Sequence, residues 1–314
     1  MKNYKSDAIR NIGLFAHSGS GKTSLAEAAL FNSGAIDRLG KIDEGSTTCD
    51  YDPEEIKRGI SISTSLAPVE WKNNKINILD TPGYFDFVGE VKSTSRVVES
   101  ALIVTCAVSG VEVGTEQVAK IADSAGMPRI FFINKMDREN ANYYKVLDQI
   151  REFFGPKAVP LQLPIGSEAN FSGVVDTLRK KAFSFEGKGL KEVPVPDDLS
   201  EDMETYRAML VEAVAETDDE LLMKYLEGEE LTDAEIQKGL RQGVLQGDIY
   251  PILCGSALAN KGISLLLDTI CDYMPSPKDR LPEKGTNPNN DAEEIRECKE
   301  DAPLSALVFK TMAD

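Results

Sequence analysis

The chain is 314 residues long, 41% apolar and 28% charged, a composition that excludes a disordered segment or a disulfide-stapled mini-protein and leaves ample length for a buried core. Its 52 acidic residues against 35 basic ones give a formal net charge of −17, which argues against broad electrostatic attachment to nucleic acid or anionic membrane. A single histidine, His17, rules out His-rich metal centres; the five scattered cysteines read as reduced thiols of a cytoplasmic protein, and no apolar run reaches the length of a membrane span.

The apolar run at 9–16 stops at a Gly and Ser cluster, and residues 22–31 then take on helix-forming composition, giving strand, glycine loop, helix. The stretch 60–71 places Ile60, Ile62 and Leu66 on one face of an alternating pattern; with the turn-like Asn73-Asn74 and the run 76–79 it reads as a hairpin, whose Pro68 marks an edge strand. Apolar runs at 101–108, 130–133 and 250–254 read as buried strands, separated by helical spacing such as that of 115–125. Strands alternating with helices predict a doubly wound, mostly parallel α/β sheet.

Between 165 and 248 that rhythm breaks, and a helical pattern appears at Met203, Tyr206, Leu210 and Val214. From 191 to 236 there are sixteen acidic residues and three basic ones, so most of the negative charge sits in one α+β insertion. The predicted organisation is an α/β domain over 1–164 and 249–280, an inserted subdomain over 165–248, a polar linker over 281–302, and a fresh β-like start over 303–314, at which the sequence is expected to be truncated.

Residues 16–23 read A-H-S-G-S-G-K-T, a phosphate-loop pattern with Ala16 in place of the usual first glycine. Gly19, Ser20 and Gly21 let successive backbone N–H groups wrap a β-phosphate, Lys22 places a cation between β and γ, and Thr23 offers a hydroxyl to Mg²⁺. His17, Ser18 and Ser24 complete the loop. The I-N-I-L-D-T-P-G of 76–83 ends an apolar strand in Asp80, a second Mg²⁺ contact; Thr81 and Pro82 lead to Gly83, whose N–H faces the γ-phosphate, and to Tyr84. Taken alone, D-T-P-G is as easily a turn.

Residues 134–137 read N-K-M-D after the strand 130–133. Asp137 can accept from both N1–H and the N2 amino group of guanine, which adenine does not offer; Lys135 and Met136 border the base, and Asn134 ties this loop to the phosphate loop. The Ser256-Ala257-Leu258 segment, again after a strand, would supply the Ala257 N–H to the guanine O6. In R-G-I-S-I, Ser61 is the residue whose hydroxyl would close over Mg²⁺ and the γ-phosphate; the same spacing also fits a solvent-facing strand residue.

Together AHSGSGKTS, DYDPEEIKRGISI, ILDTPGYFDFVGEV, RIFFINKMDR and LLMKYLEGEELTDAEIQKGLRQG resemble the N-terminal GTPase domain of translation elongation factor G. The resemblance runs through essentially the whole chain: the acidic insertion looks like that family's G′ subdomain, and PLSALVFKTMAD over 303–314 looks like the opening strand of its next β-barrel domain. It implies GTP and GDP with Mg²⁺, slow intrinsic hydrolysis, and a longer, monomeric protein that meets the ribosome at its stalk and factor-binding site during translocation or recycling.

Four residues depart from the family pattern. Tyr84 stands where a histidine usually positions the attacking water, Ser18 and Gly19 replace an apolar residue and Asp, and Ser61 replaces Thr. Lys22, Gly83 and Tyr84 are the candidate catalytic residues; Thr23, Ser61 and Asp80 are the candidate metal ligands. Two alternatives stay open at this level: a tetracycline-resistance-type ribosomal protection GTPase, and a nucleotide-binding module with little turnover because of Tyr84.

Overall fold

The computed structural model describes residues 2–311. Its centre is a seven-stranded sheet built from β1 (Ile9–Phe15), β2 (Ser65–Trp71), β3 (Asn74–Asp80), β4 (Ser100–Cys106), β5 (Arg129–Asn134), β6 (Ala158–Pro160) and a strand late in the chain, Tyr250–Cys254. The latter is β11, after four strands of a second sheet. The order is β2-β3-β1-β4-β5-β11-β6, and only β2 runs antiparallel to its neighbour. The expected doubly wound α/β fold is what the chain adopts.

Alternation along the central strands divides the core in two, because successive side chains leave opposite faces of a sheet. Leu102, Val104, Ile130 and Phe132 enter the cluster under α1 (Lys22–Ser33) and a late helix, Ile263–Tyr273, which is α9. Ala101, Ile103, Phe131 and Ile133 enter the other, covered by α3 (Val88–Ser95), α4 (Val113–Ser124) and α5 (Tyr143–Phe154). The short α2 (Pro53–Arg58) lies outside both layers, in the connection before β2. In α1 the buried positions include Ala26, Ala28 and Ala29, small enough for the helix to lie close to the sheet, and Gly34 in the left-handed region ends it by donating to Leu30 and Phe31.

The insertion between β6 and β11 forms an antiparallel sheet ordered β10-β9-β8-β7, from β7 (Gln162–Ile165), β8 (Gly173–Asp176), β9 (Lys181–Glu186) and β10 (Gly189–Val193). Then follow α6 (Ser200–Ala215), α7 (Asp219–Leu226) and α8 (Asp233–Gln246). The second sheet starts at Gln162, three residues before the boundary at 165 expected from composition. Met203, Leu210 and Val214 are buried on α6 as their spacing predicts, and Leu210 and Val214 join α8 residues Ile236, Leu240 and Val244 in the α1-side cluster.

Four local expectations are corrected. The hairpin's first strand begins at Ser65, not Ile60, and its inward residues are Ala67 and Val69, while Leu66 is 61% exposed. Just before it, the Ile62 and Ser63 N–H groups donate instead to the Glu55 side-chain carboxylate, so no strand ladder forms there. The turn is Lys72-Asn73, both at positive φ, and Asn74 is already in β3. The expected linker contains a further antiparallel pair, β12 (Glu283–Thr286) with β13 (Glu293–Arg296). The strand expected over 303–314 is not formed over 303–311, where no strand is assigned; residues 312–314 lie outside the described residues.

Candidate functional site

Brought together at the carboxyl ends of β1, β3, β5 and β11 are the four sequence segments singled out above. The crevice there sits where the strand order reverses about β1, the place where open α/β sheets bind ligands. Its volume is about 1000 Å³, counting solvent at the mouth, and its lining includes Ser18, Gly19, Gly21, Lys22, Thr23, Ser24, Ser61, Gly83, Tyr84, Asn134, Lys135, Asp137 and Leu258.

The loop 16–21 needs its glycines for defined reasons. Gly19 and Gly21 have φ of +77° and +95°, and a Cβ on Gly21 would fall 2.4 Å from Asn134 Nδ2. Gly83 approaches as tightly: a Cβ there would be 2.5 Å from Lys22 Nζ and 2.7 Å from Ser18 Cα. Lys22 Nζ, buried, points back at the carbonyls of Ala16 and His17 at 3.5 Å.

Asn134 is the knot of the site. Its Nδ2 donates to Ser20 O (2.9 Å), while its Oδ1 accepts from Ala257 N (2.9 Å), so one amide joins the loops after β1, β5 and β11. The Ala257 N–H expected to face a base oxygen is thus already committed to Asn134. Lys135, at φ +66°, donates from Nζ to Gly19 O at 2.6 Å. Asp137 is half-buried at the crevice wall. Met136 and Ala16 are buried among core side chains and bring no side chain to the crevice. Ser256 Oγ accepts from Ala259 N, holding the last loop's shape, and Thr81 Oγ1 donates to Leu14 O, pinning β3's end to β1; Pro82 is buried beside it.

Behind the lining residues, at the carboxyl end of β3, the electrostatics centre on Asp80. Its carboxylate is buried, and neither oxygen makes a well-formed hydrogen bond among the described residues, although the Thr23 hydroxyl and Lys22 both lie close enough to pull its pKa down. Burial pushes this carboxyl up to about 7 against the pull of Lys22. Burial likewise pushes the Lys22 ammonium down to about 8, outweighing the attraction of Asp80 and Asp50. Thr23 Oγ1 and Ser61 Oγ are 3.0 Å apart, and Ser61 Oγ donates to Asp50 Oδ1 at 2.8 Å. Ser61 lies outside any strand, with its hydroxyl against Thr23.

A family model described as the Elongation factor Tu GTP binding domain matches residues 7–276. The chain belongs to this GTPase family. It is also similar to a protein from Thermus thermophilus of known crystal structure, with a TM-score of 0.83 and 36% identity over 88% of this chain. That match covers 42% of the other chain, so the present sequence spans less than half the length of this relative. Membership of the elongation-factor GTPases fits the order and spacing of the four crevice loops, and the factor G-like resemblance of the sequence stands with it.

The GTPase crevice also has walls to which the sequence attached no role. Lys41, Ile42 and Asp43 border it from the loop after α1, as do Asp50, Gly59, Ile60 and Arg138. The 34–52 segment has no hydrophobic period to signal a role, and Asp50 is distinguished only by its surroundings: it is buried, with Oδ2 unpartnered. Tyr84 is 45% exposed at the crevice edge. His17 sits with its ring against Gly114 and its Nε2 3.6 Å from Glu112 Oε1, outside the crevice lining.

Proposed function

We propose that this GTPase domain binds GTP and GDP with Mg²⁺, hydrolyses GTP, and serves as the nucleotide switch of a factor G-like protein acting on the ribosome. The observation that carries this reading is the Asn134 knot, which places Asp137 and the phosphate loop around one crevice. Asp137 reads guanine by accepting two hydrogen bonds, a pairing that adenine leaves unmade. The N–H groups of 19–21, together with the N-terminus of α1 and Lys22, hold the phosphates.

The region around Asp80 fits a divalent cation. The two orphaned oxygens of Asp80 and the paired hydroxyls of Thr23 and Ser61 form a hard oxygen donor set of the kind Mg²⁺ takes, in part through its own waters. When bound, Mg²⁺ supplies charge neutralisation at the β- and γ-phosphate oxygens. Lys22 stabilises charge developing on the γ-phosphoryl group, and Gly83, packed against Lys22 and Ser18, senses its loss. Tyr84 orients the attacking water but is a weak base at neutral pH, so turnover without a partner is slow.

Titration calorimetry of the chain with Mg²⁺·GDP and Mg²⁺·ADP tests the assignment. GDP binds at least about 10³-fold more tightly if Asp137 reads the base, and Asp137→Asn shifts preference from guanine to xanthine nucleotides. Comparable ADP affinity, or unchanged GDP affinity in Asp137→Asn, overturns it. For the full-length protein, ribosome-stimulated phosphate release that rises on Tyr84→His locates the rate limit at the water. Release that does not rise with either residue supports the reading of a binding module with little turnover.

A further inference from the structure

Ser61 owes its place beside Thr23 to a single residue of α2. Glu55 is the third residue of that helix and is buried, and its Oε2 accepts from Asp52 N at 3.4 Å as half of a capping box with Asp52. A capping box accounts for that contact alone. The other oxygen, Oε1, accepts from Ile62 N at 2.8 Å and Ser63 N at 3.0 Å. The main-chain carbonyl of the same residue accepts from Gly59 N at 2.8 Å and Ile60 N at 3.2 Å.

Glu55 therefore receives the N–H groups of four of the five residues from 59 to 63, and the one it skips is Ser61. Gly59, at φ +64°, makes the reversal that folds this stretch back onto the helix. With the backbone held on both sides, the Ser61 hydroxyl turns inward to Thr23 Oγ1 and Asp50 Oδ1. A serine lacks the β-branch that would restrict its own rotamer, so here the backbone clamp does the orienting.

We propose that Glu55 is a positioning residue for the triphosphate state, acting through Ser61: it presents the Ser61 hydroxyl to the Mg²⁺ side of the crevice. This rests on the proposed reading of the site as a GTP and Mg²⁺ site. The diphosphate state, in which Ser61 has no γ-phosphate to close over, does not depend on the clamp.

The test titrates Mg²⁺ into the 314-residue chain with either a fluorescent non-hydrolysable GTP analogue or fluorescent GDP, and follows amide hydrogen exchange at Ile62 and Ser63 in parallel. Glu55→Ala raises the half-saturating Mg²⁺ concentration about tenfold or more with the triphosphate analogue and less than about twofold with GDP, and it loses protection at both amides. Glu55→Gln, which keeps an acceptor at Oε1, falls between this variant and wild type and keeps the test open if the alanine variant misfolds. Asp52→Ala removes the helix cap without touching the Ile62 and Ser63 bonds, so it lowers thermal stability and leaves the triphosphate shift absent. Equal shifts for the two nucleotides, or none in either Glu55 variant, overturn the positioning role. Wild type that binds neither nucleotide overturns the reading of the site itself, a separate and distinguishable result.

Discussion

Asp80→Asn is expected to stabilise the nucleotide-free protein while weakening its complex with Mg²⁺·GDP. In the free protein, burial raises the Asp80 carboxyl from an ordinary 3.8 to about 7, even with Lys22 attracting it. The folded state therefore holds the proton more tightly than the unfolded one. Below about pH 4 both states are protonated and no penalty exists; as pH rises through about 7 the penalty grows to its full value. A rise from 3.8 to about 7 makes the penalty a few kcal/mol at pH 8.

The substitution removes that penalty but leaves an amide where neither carboxylate oxygen makes a well-formed hydrogen bond, which returns about 1–3 kcal/mol. A net gain of about 1–3 kcal/mol remains at pH 8. Urea unfolding in EDTA at about pH 8 and about pH 5.5 measures it: wild type gains stability at the lower pH relative to the variant, and the variant leads at the higher. With excess Mg²⁺·GDP the order reverses, because only the carboxylate answers the cation. A variant no more stable than wild type in EDTA at the higher pH, with the same pH dependence, refutes the account of Asp80 as an unpaired buried charge.

Two further outcomes follow from the geometry. Gly21→Ala puts a methyl group 2.4 Å from Asn134 Nδ2 at a φ of +95°, so it displaces the Asn134 knot and lowers guanine-nucleotide affinity by at least about tenfold, readable by calorimetry. The hairpin register is tested by Leu66→Ser against Val69→Ala. The exposed Leu66 changes thermal-unfolding stability by no more than about 0.5 kcal/mol, whereas truncating the fully buried Val69 costs about 1–3 kcal/mol; the reverse ranking would restore the register expected from the sequence.

Much of this protein was legible in its linear order. Strand periodicity placed β1, β3, β4, β5 and β11 within a residue or two, because strands buried on both faces leave continuous apolar runs that turn residues then interrupt. Gly19, Gly21, Lys22, Asp80, Asn134 and Asp137 could be singled out because local chemistry, one loop or one strand end at a time, demands those residue types at those spacings. Where two patterns competed for the same residues, the sequence misled: alternation at 60–66 suggests a strand and turns Leu66 inward, against its exposure in the fold.

Tertiary structure decided what no local signal carries. Glu55 reaches across a reversal to claim Ile62 and Ser63, which moves the strand start to Ser65 and turns Ser61 toward Thr23. Asn134 consumes the Ala257 N–H that the sequence offered to a base. The wall of Lys41, Ile42, Asp43 and Asp50 forms from a segment without periodicity. Each is a hydrogen bond or a contact between residues brought together by where folded loops come to rest. The types of group at the site were therefore written in the sequence, and the pairing among them was settled by packing.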